Sequence, residues 1–494
     1  MNDMHAPNPS APAVEARSVQ EYIDERPLWR DGTEVSVTPM TAMQWRIWGL
    51  AAAGKFFEGL VVFMTGVAMP LMAVEFSMGA FEHGLVGAAS LFGILIGALF
   101  LGGLADQFGR KLMFIAEMAL FILFLVLLSV APNFYWMVFF LFGVGVALGC
   151  DYPTAHLVIS ESIPSSARGR LVLSAFGFQA VGALVGTGVG YLILTFAPEL
   201  AAWRLMYATA IIPAVIVLVG RFYVTESGHW LAAHGRMAEA EREVHKLLKR
   251  NPDYPKEIKL KVRHPHAHPH HERNMWALFK AKNLRATILA SVPWFLQDLG
   301  TYGIGIFTPT ILAAALGAQA STQHNLTGII AKDMLAAEGA AFIDLLLIVG
   351  ICAAVMLADK VGRIPLQVFG FIGCAAGLLI ASFSVDYTGG AQIFLIYTGF
   401  MLFNFMTNMG PNAQTYLLAG EVFPTHIRGR GAGFAAAFAK IGAVLTAFLF
   451  PILLLDLGTK PLLYILVATS LVGAWITWQF RIETTGVKLD DIGV

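Results

Sequence analysis

An acidic side chain stands between an indole and a phenol in one apolar stretch of the chain. Trp294, Asp298 and Tyr302 follow one another at intervals of four residues, so on a helix they share one stripe. A carboxyl group can take up and release a proton, while the indole N–H and the phenol O–H can donate hydrogen bonds to a ligand. Ionisable groups inside membrane helices cost roughly 2.5–3.5 kcal/mol and by default mark function. The stripe predicts a proton site within a ligand frame; the alternative is a structural carboxyl satisfied by neighbouring backbone or hydroxyl groups.

Six more ionisable side chains fall inside apolar runs, and the same energetic argument makes each of them a candidate functional residue. They are Lys55, Glu58, Glu117, Asp151, Asp344 and Lys440. Lys55 precedes Glu58 by about one helical turn, so it is a candidate partner for that carboxylate.

Two charged sequence patterns each occur twice. Glu-x-x-Pro-x-x-x-Arg-Gly-Arg occupies residues 161–170 and again 421–430, 260 positions later. Leu-Ala-Asp-x-x-Gly-Arg occupies residues 104–110 and again 357–363, 253 positions later. Because the two offsets nearly agree, we predict that one ancestral half was duplicated, as is typical of secondary transporters.

The repeated patterns place acids and bases at helix ends on one face of the bundle. Charges there can pair across the halves when that face is closed, and pairing confined to one conformation shifts the balance between conformations. We therefore predict a gating role; the alternative is that these charges only fix the topology. The predicted gating residues are Asp106, Arg110, Glu161, Arg168, Arg170, Asp359, Arg363, Glu421, Arg428 and Arg430.

The composition indicates a membrane protein. Of 494 residues, 57% are hydrophobic and only 13% are charged, which is more apolar surface than a soluble fold of this size can bury. We predict an all-α membrane protein with twelve transmembrane helices in two pseudo-symmetric six-helix halves. The predicted spans lie near 46–74, 84–105, 112–131, 134–160, 171–197, 203–223, 286–315, 339–358, 364–384, 391–420, 430–455 and 461–480.

Polar stretches divide the chain into parts. The predicted parts are an N-terminal tail over 1–44, one half over 45–223, a central loop over 224–283, the other half over 284–481 and a C-terminal tail over 482–494. Positive residues concentrate in the loops with the repeated patterns, so the positive-inside rule places both termini in the cytoplasm. We expect a multi-pass protein of the cell's inner membrane, and a monomer.

The central loop has a charged helical pattern over 232–249 and a histidine-rich tract after it. His264, His266, His268 and His270 are weak candidates for binding Zn²⁺, but prolines interrupt them, and a solvated linker is the preferred interpretation. We therefore predict no metal and no cofactor.

Other classes of protein find no support in the sequence. A Gly-rich phosphate loop and a nucleophile elbow are both missing, which argues against an enzyme and against an ATP-driven pump. The net charge is zero and gives no indication of a nucleic-acid partner.

The patterns resemble those of the major facilitator superfamily, and the resemblance extends over all twelve spans. Residues 103–111 are similar to that family's loop between helices 2 and 3. Residues 226–231, with Gly228 in place of the usual proline, and residues 483–486 resemble signatures of its sugar-porter-like branch. The resemblance implies two six-helix halves that move by alternating access.

Some segments resemble the phosphate:proton symporters of that branch: residues 294–302, 149–153 and 409–412, together with Gln179 and Lys440. The resemblance implies substrate contacts from Tyr152, Gln179, Trp294, Asp298, Tyr302, Asn412 and Lys440, and proton coupling by Glu58, Asp151 and Asp298. The chain departs from that group at Val61, where an aspartate is usual, and at Leu141, where an arginine is usual. It is also similar to bacterial metabolite:proton symporters that share the Asp-Tyr-Pro segment.

The sequence therefore predicts a proton-coupled symporter that imports a small anion, with inorganic phosphate as the first candidate. The rival cargo is an organic acid, an aromatic acid or a sugar-like metabolite. An interpretation from another class is a sensor with the architecture of a transporter, whose long N-terminal tail and histidine-rich loop would be output elements.

Overall fold

The computed structural model describes residues 16–26, 38–101, 104–249, 258–261, 275–320, 326–424 and 427–485. In these ranges the chain is helical apart from short connections and one isolated bridge between Arg17 and Leu260. The predicted all-α class is confirmed. The four candidate metal-binding histidines lie outside the described residues.

The first half contains helices of very different length, because Gly177 and Ala210 separate consecutive helices within single spans. The helices are α1 (Val19–Asp24), α2 (Ala42–Phe76), α3 (Ala80–Ile96), which continues as a π-helical turn over Gly97–Leu101, α4 (Leu104–Phe108), α5 (Arg110–Ser129), α6 (Phe134–Ser162), α7 (Ser165–Phe176), α8 (Phe178–Phe196), α9 (Ala202–Thr209) and α10 (Ile211–Phe222).

The central loop contributes two helices, of which the second matches the helical pattern predicted over 232–249. They are α11 (Gly228–Ala233) and α12 (Met237–Leu248). The second half follows with a 3₁₀ turn over Met275–Phe279, α13 (Ala281–Ala320), α14 (Leu326–Val361), α15 (Arg363–Phe383), a 3₁₀ turn over Ser384–Asp386, α16 (Gly390–Met409), α17 (Pro411–Glu421), α18 (Arg428–Leu457) and α19 (Thr459–Gln479).

Eleven spans of the described chain are long and apolar enough to cross a membrane. The remaining predicted span, 286–315, corresponds to α13. This helix of 40 residues is long enough, but it also carries Gln297, Asp298 and Thr301 on buried positions. The predicted start of the eighth span at residue 339 was wrong, because α14 already begins at Leu326.

Close approach of backbones holds the first half together. A methyl group added to Gly182 on α8 would lie 1.9 Å from the carbonyl oxygen of Phe56 on α2, and one added to Gly59 on α2 would lie 2.0 Å from that of Gln179 on α8. Small residues that let backbones meet are the usual basis of helix packing in membranes, where no hydrophobic force draws helices together. α2 is therefore fixed against α8, with the polar residues of both at one depth.

The two halves touch at both ends of the bundle. We call the end that carries Arg110 and Arg363 the motif end. Towards that end, the rings of Phe176 and Tyr416 stack with their centroids 4.4 Å apart. Towards the opposite end, Gly66 of α2 lies directly against the backbone of Ile306 on α13. The polar side chains between these contacts are enclosed between the halves.

The N-terminal segment and the central loop cover the motif end of the first half. Val19 and Tyr22 of α1 pack in one apolar cluster with Val244 and Leu247 of α12. The Asp24 carboxylate also accepts hydrogen bonds from the backbone N–H and the hydroxyl of Ser165, at 2.7 and 2.8 Å. Part of the predicted tail is therefore a structured element of this half.

Gly66→Val is expected to separate the halves at the end opposite the motifs. The added Cβ would lie 2.3 Å from the carbonyl oxygen of Ile306, a backbone atom that cannot rotate away. Spin labels at the exposed positions Glu199 and Thr388 should report a longer distance across the halves. Gly188→Val is the matched control, because nothing lies within 4 Å of a Cβ there. An unchanged distance in a folded Gly66→Val protein would contradict the closed contact.

Candidate functional site

Charged side chains from the two halves meet in the middle of the bundle. α2 of the first half supplies Lys55 and Glu58, and the second half supplies Asp298 and Tyr302 from α13 and Lys440 from α18. All five are buried, with at most 7% of any residue exposed. We call these five residues the central cluster. They are separated by up to 385 positions in sequence, and the close packing of α2, α13 and α18 brings them together.

Glu58 has three partners in the central cluster. Lys55 Nζ donates to its Oε2 atom at 2.6 Å, which confirms the pairing expected from their spacing on one helix. The Tyr302 hydroxyl donates to Oε1 at 3.0 Å, and Lys440 Nζ lies 3.3 Å from the same oxygen. Glu58 therefore joins the first half to two helices of the second half.

Tyr302 links the central cluster to α8. Its hydroxyl oxygen accepts hydrogen bonds from Lys440 Nζ at 2.6 Å and from Gln179 Nε2 at 3.1 Å. Of the predicted substrate-binding residues, Gln179, Tyr302, Asp298 and Lys440 are therefore brought together in one place. The resemblance that suggested them is the only sequence signal that relates α8 to α13 and α18.

Asp298 is the least satisfied member of the central cluster. Its Oδ2 atom lies 3.5 Å from Lys440 Nζ, and it accepts no hydrogen bond from the described part of the chain. A buried carboxylate oxygen without a donor is costly, because its desolvation is not compensated. The arrangement can gain from a proton on Asp298 or from a ligand that brings a donor of its own.

The formal charges of the central cluster cancel. Lys55 and Lys440 face Glu58 and Asp298, and buried charges are tolerated when they are paired in this way. The balance is sensitive to a single proton, since neutral Asp298 would leave one lysine in excess. The cluster can therefore take up a proton and an anion together without accumulating buried charge.

Aromatic rings border the central cluster on the side of the motif end. Trp294 lies edge-on to Tyr416 with the ring centroids 6.1 Å apart, and Tyr416 stacks on Phe176 of the first half. Lys55 Nζ lies 5.5 Å from the centre of the Phe176 ring. Phe176 and Tyr416 were not among the predicted site residues, because an aromatic residue in an apolar helix carries no signal of its own.

Asn412 lies on α17, which packs against α13, and its side chain is hydrogen-bonded to Asn408. Its amide donates to Asn408 Oδ1 at 2.6 Å, and the Asn408 amide donates to the backbone of Leu347. The side chain of Tyr152 lies outside the described part of the structure. Contacts of Tyr152 and Asn412 with a substrate stay predictions.

Asp151 is paired within the first half and lies outside the hydrogen-bonded central cluster. Arg221 Nη2 donates to Asp151 Oδ1 at 2.6 Å, and Arg221 Nη1 donates to Glu117 Oε1 at 3.0 Å. The arginine side chain is completely buried. Two carboxyl groups thus share one guanidinium. Such a pair can hold a proton, but it does not contact the site around Asp298 directly.

Arg221 was not among the predicted site residues. The residue stands at the end of an apolar run, where a basic side chain usually reaches out to the lipid headgroups. Its guanidinium instead turns inward, and it also donates to the backbone oxygen of Phe114. A signal was present, because Glu117 and Asp151 were two predicted membrane acids that needed a cation.

The repeated patterns form equivalent ion pairs in the two halves. Arg110 pairs with Asp106 at 2.8 Å and with Glu161 at 3.0 Å. Arg363 pairs with Asp359 at 2.8 Å and with Glu421 at 3.3 Å. Each of these pairs joins residues of the same half, so the contacts across the halves expected for a gate are not among them. Four predicted gating residues remain. Arg168 donates to Gln20, and Arg428 donates to the backbone of Phe423. Arg170 is exposed, and Arg430 is half-buried.

Glu226 and Glu483 also occupy equivalent places in the two halves, although they lie outside the repeated patterns. The Glu226 carboxylate accepts from the backbone N–H groups of Arg110 and Lys111 at the start of α5. Glu483 does the same at the start of α15. Carboxylates stabilise helix N-termini, where N–H groups lack partners. Each half therefore fastens its last span to its third.

Hydrogen bonds keep Glu483 ionised in this position. Burial alone would raise the pKa of its carboxyl group, but hydrogen bonds from Thr485 and from the backbone N–H groups of Ile364 and Arg363 outweigh burial. The pKa of Glu483 is therefore held below its ordinary value. The carboxylate stays charged at neutral pH and can act as a permanent helix cap.

The family model for "Sugar (and other) transporter" matches residues 49–494. The chain belongs to this family. It is 28% identical over 454 residues to the "Inner membrane metabolite transport protein YgcS" of Escherichia coli (strain K12), covering 91% of this chain and 94% of that one. It is 26% identical over 520 residues to the "Putative inorganic phosphate transporter C1683.01" of Schizosaccharomyces pombe, covering 92% of this chain and 88% of that one.

A solved structure supports the fold of this sugar-family transporter. The proton:xylose symporter XylE, of the major facilitator superfamily, superposes with a TM-score of 0.73, at 19% identity, over 91% of this chain and 98% of that one. The predicted superfamily and its sugar-porter-like branch are therefore confirmed. The family and fold are those of multi-pass membrane transporters and not of enzymes.

No metal site is found in this transporter's described residues, where no group of three or more His, Cys, Asp or Glu side chains is arranged to hold an ion.

Proposed function

We propose that this transporter is a proton-coupled symporter that imports a small anion by alternating access across the inner membrane. The observation that carries the proposal is the central cluster, in which two buried lysines from opposite halves are balanced by two carboxylates. Buried lysines are costly, and their default interpretation in a membrane span is a functional one. Binding between the halves is also where transporters of this architecture place their substrates.

The central cluster suggests how a proton and an anion are coupled. Protonation of Asp298 removes the acid that lies 3.5 Å from Lys440 and leaves a positive charge in excess. An anion can then take the place of that carboxylate beside Lys440, with hydrogen bonds from Gln179 and Tyr302, whose polar groups already meet there. Loss of the proton on the other side of the membrane restores the ion pair between Asp298 and Lys440, and the anion is expelled.

Inorganic phosphate is the first candidate for the anion. It needs several hydrogen-bond donors close together, and Tyr302, Gln179, Trp294 and Lys440 offer an O–H, an amide, an indole N–H and an ammonium group. The similarity over nearly the whole chain to a relative named for inorganic phosphate supports this choice. An organic or aromatic acid is the rival, since its carboxylate could use the same lysines and Trp294 and Tyr416 could pack on its ring.

Asp298→Asn is expected to abolish concentrative uptake. Proteoliposomes with an inward proton gradient should accumulate labelled phosphate with the parent protein, whereas the variant cannot return the carboxylate that expels the anion. Asp386→Asn is the matched control, because Asp386 is an exposed acid far from the cluster. Full concentrative uptake by Asp298→Asn would contradict proton coupling at this residue. Uptake of a labelled carboxylate or sugar by the parent, without accumulation of labelled phosphate, would identify the rival cargo.

The equivalent ion pairs at the motif end are proposed to make each half rigid. Arg110 and Arg363 each bring a loop and two helices of one half together, so each half can tilt as a rigid body. The motif end is proposed to be cytoplasmic, in agreement with its concentration of positive residues.

A further inference from the structure

A second buried acid joins the two halves outside the central cluster. Asp344 of α14 meets Thr187 of α8, with 2.9 Å between Oδ2 and the threonine Oγ1. The amide of Asn404 on α16 lies 3.3 Å from Asp344 Oδ1. All three residues are at most 4% exposed. Neither Asp344 nor Thr187 takes part in the site described above.

Asp344 has no cationic partner in the described part of the chain. Its hydrogen-bond partners, Thr187 and Asn404, are neutral. The titratable side chains along the spanning lengths of helices packed on α14 are Lys55, Glu58, Tyr191, Asp298, Tyr302, Cys374, Tyr397 and Tyr416, and on α14 itself Lys332, Asp333, Glu338 and Cys352. None of these makes an ion pair or a hydrogen bond with Asp344. A carboxylate at this place would be a buried charge without compensation.

The hydrogen atoms available at this contact favour a neutral carboxyl group. Thr187 Oγ1 lies 3.0 Å from the backbone oxygen of Ala183 and 2.9 Å from Asp344 Oδ2, but a hydroxyl group has one hydrogen to donate. If Asp344 is ionised, Thr187 must choose between the two acceptors. If Asp344 carries a proton, it donates to Thr187, and Thr187 donates to Ala183. Every contact is then used once, and Asn404 still donates to Oδ1.

We propose that Asp344 is a second proton-binding residue, protonated while it contacts Thr187 and ionised when the halves separate there. The step is a simple proton transfer: the carboxyl O–H bond breaks, and water that enters between α8 and α14 takes the proton. The ionised group then gains solvation that it cannot obtain in the closed contact. Closure of the halves at this level is therefore linked to protonation, independently of which anion is carried.

Infrared spectroscopy can test the proton directly. The purified full-length Asp298→Asn protein, which removes the carboxyl group of the central cluster proposed to bind a proton, should show a C=O stretching band of protonated carboxyl groups at neutral pH. Adding Asp344→Asn should remove part of that band, whereas adding Asp386→Asn should not. An unchanged band in the Asp344→Asn protein would overturn the proposal.

The distance between labels at Glu199 and Thr388, measured without substrate, tests the link to closure. The parent should change from the short to the long distance as the pH rises, and Asp344→Asn, whose amide can still donate to Thr187, should keep the short distance throughout. Thr187→Val should favour the long distance, with Thr195→Val as a control that loses only an exposed bond within the same helix. A pH response of Asp344→Asn equal to that of the parent, or closure that depends on Na⁺ rather than on pH, would refute the role of a proton here.

Discussion

Lys440→Met is expected to reduce anion binding at least about thirtyfold and to eliminate measurable uptake. Lys440 contacts Tyr302 at 2.6 Å, Glu58 at 3.3 Å and Asp298 at 3.5 Å, so it faces every acid of the central cluster. Removing one partner of a buried, hydrogen-bonded charge pair costs roughly 2–5 kcal/mol, and about 1.4 kcal/mol corresponds to a factor of ten. With Asp298 protonated, Lys55 would balance Glu58, and no positive charge would remain in excess for the anion.

The measurement is equilibrium binding of labelled phosphate to purified protein, followed by uptake into proteoliposomes. Lys460→Met is the matched control, because Lys460 is a partly exposed lysine whose partner is Asp386 near the opposite end. Lys440→Met combined with Asp298→Asn removes one charge of each sign, so the double variant should recover thermal stability without recovering uptake. Parent-like binding in folded Lys440→Met would show that the anion does not depend on this lysine.

Arg221→Met is expected to lower the stability of the first half by about 3–5 kcal/mol, the cost of leaving a buried ion without its partner. The guanidinium is fully buried between Asp151, Glu117 and the backbone of Phe114, and methionine can fill the space but supplies no donors. The thermal unfolding temperature in detergent should fall markedly.

Two further variants separate the charge effect from a packing effect. Arg221→Met with Glu117→Gln and Asp151→Asn removes the uncompensated acids and should recover much of the lost stability. Arg236→Met, which removes an exposed arginine paired with Glu239, should leave the unfolding temperature nearly unchanged. A single variant Arg221→Met as stable as the parent would mean that the two acids are already neutral in the fold.

The duplication could be predicted from the sequence because its evidence is local. The repeated acids and bases lie close together along the chain, at helix ends, and the spacing of Asp106 and Arg110 by one turn already indicates an ion pair. The same is true of Lys55 and Glu58. The resemblance added Gln179 and Lys440 to the stripe of α13, and the structure brings those residues together with Asp298 and Tyr302.

Contacts between helices far apart in sequence could not be predicted in this way. Periodicity shows which residues share a face of one helix, but not which face of another helix it meets. Arg221 therefore went unnoticed as the partner of Asp151, and Thr187 as the partner of Asp344. The early start of α14 was missed for a different reason: Lys332, Asp333 and Glu338 interrupt the apolar run, although the helix continues through them.

The equal numbers of lysines and carboxylates in the central cluster also have a consequence for the membrane potential. A charge that moves through the full potential gains or loses about 2.3 kcal/mol per 100 mV, while a balanced set moves without electrical work. The empty carrier should therefore reorient at a rate that voltage does not change. A monovalent anion accompanied by one proton would also cross without moving net charge. Uptake would generate an electric current only if an additional proton crossed with them.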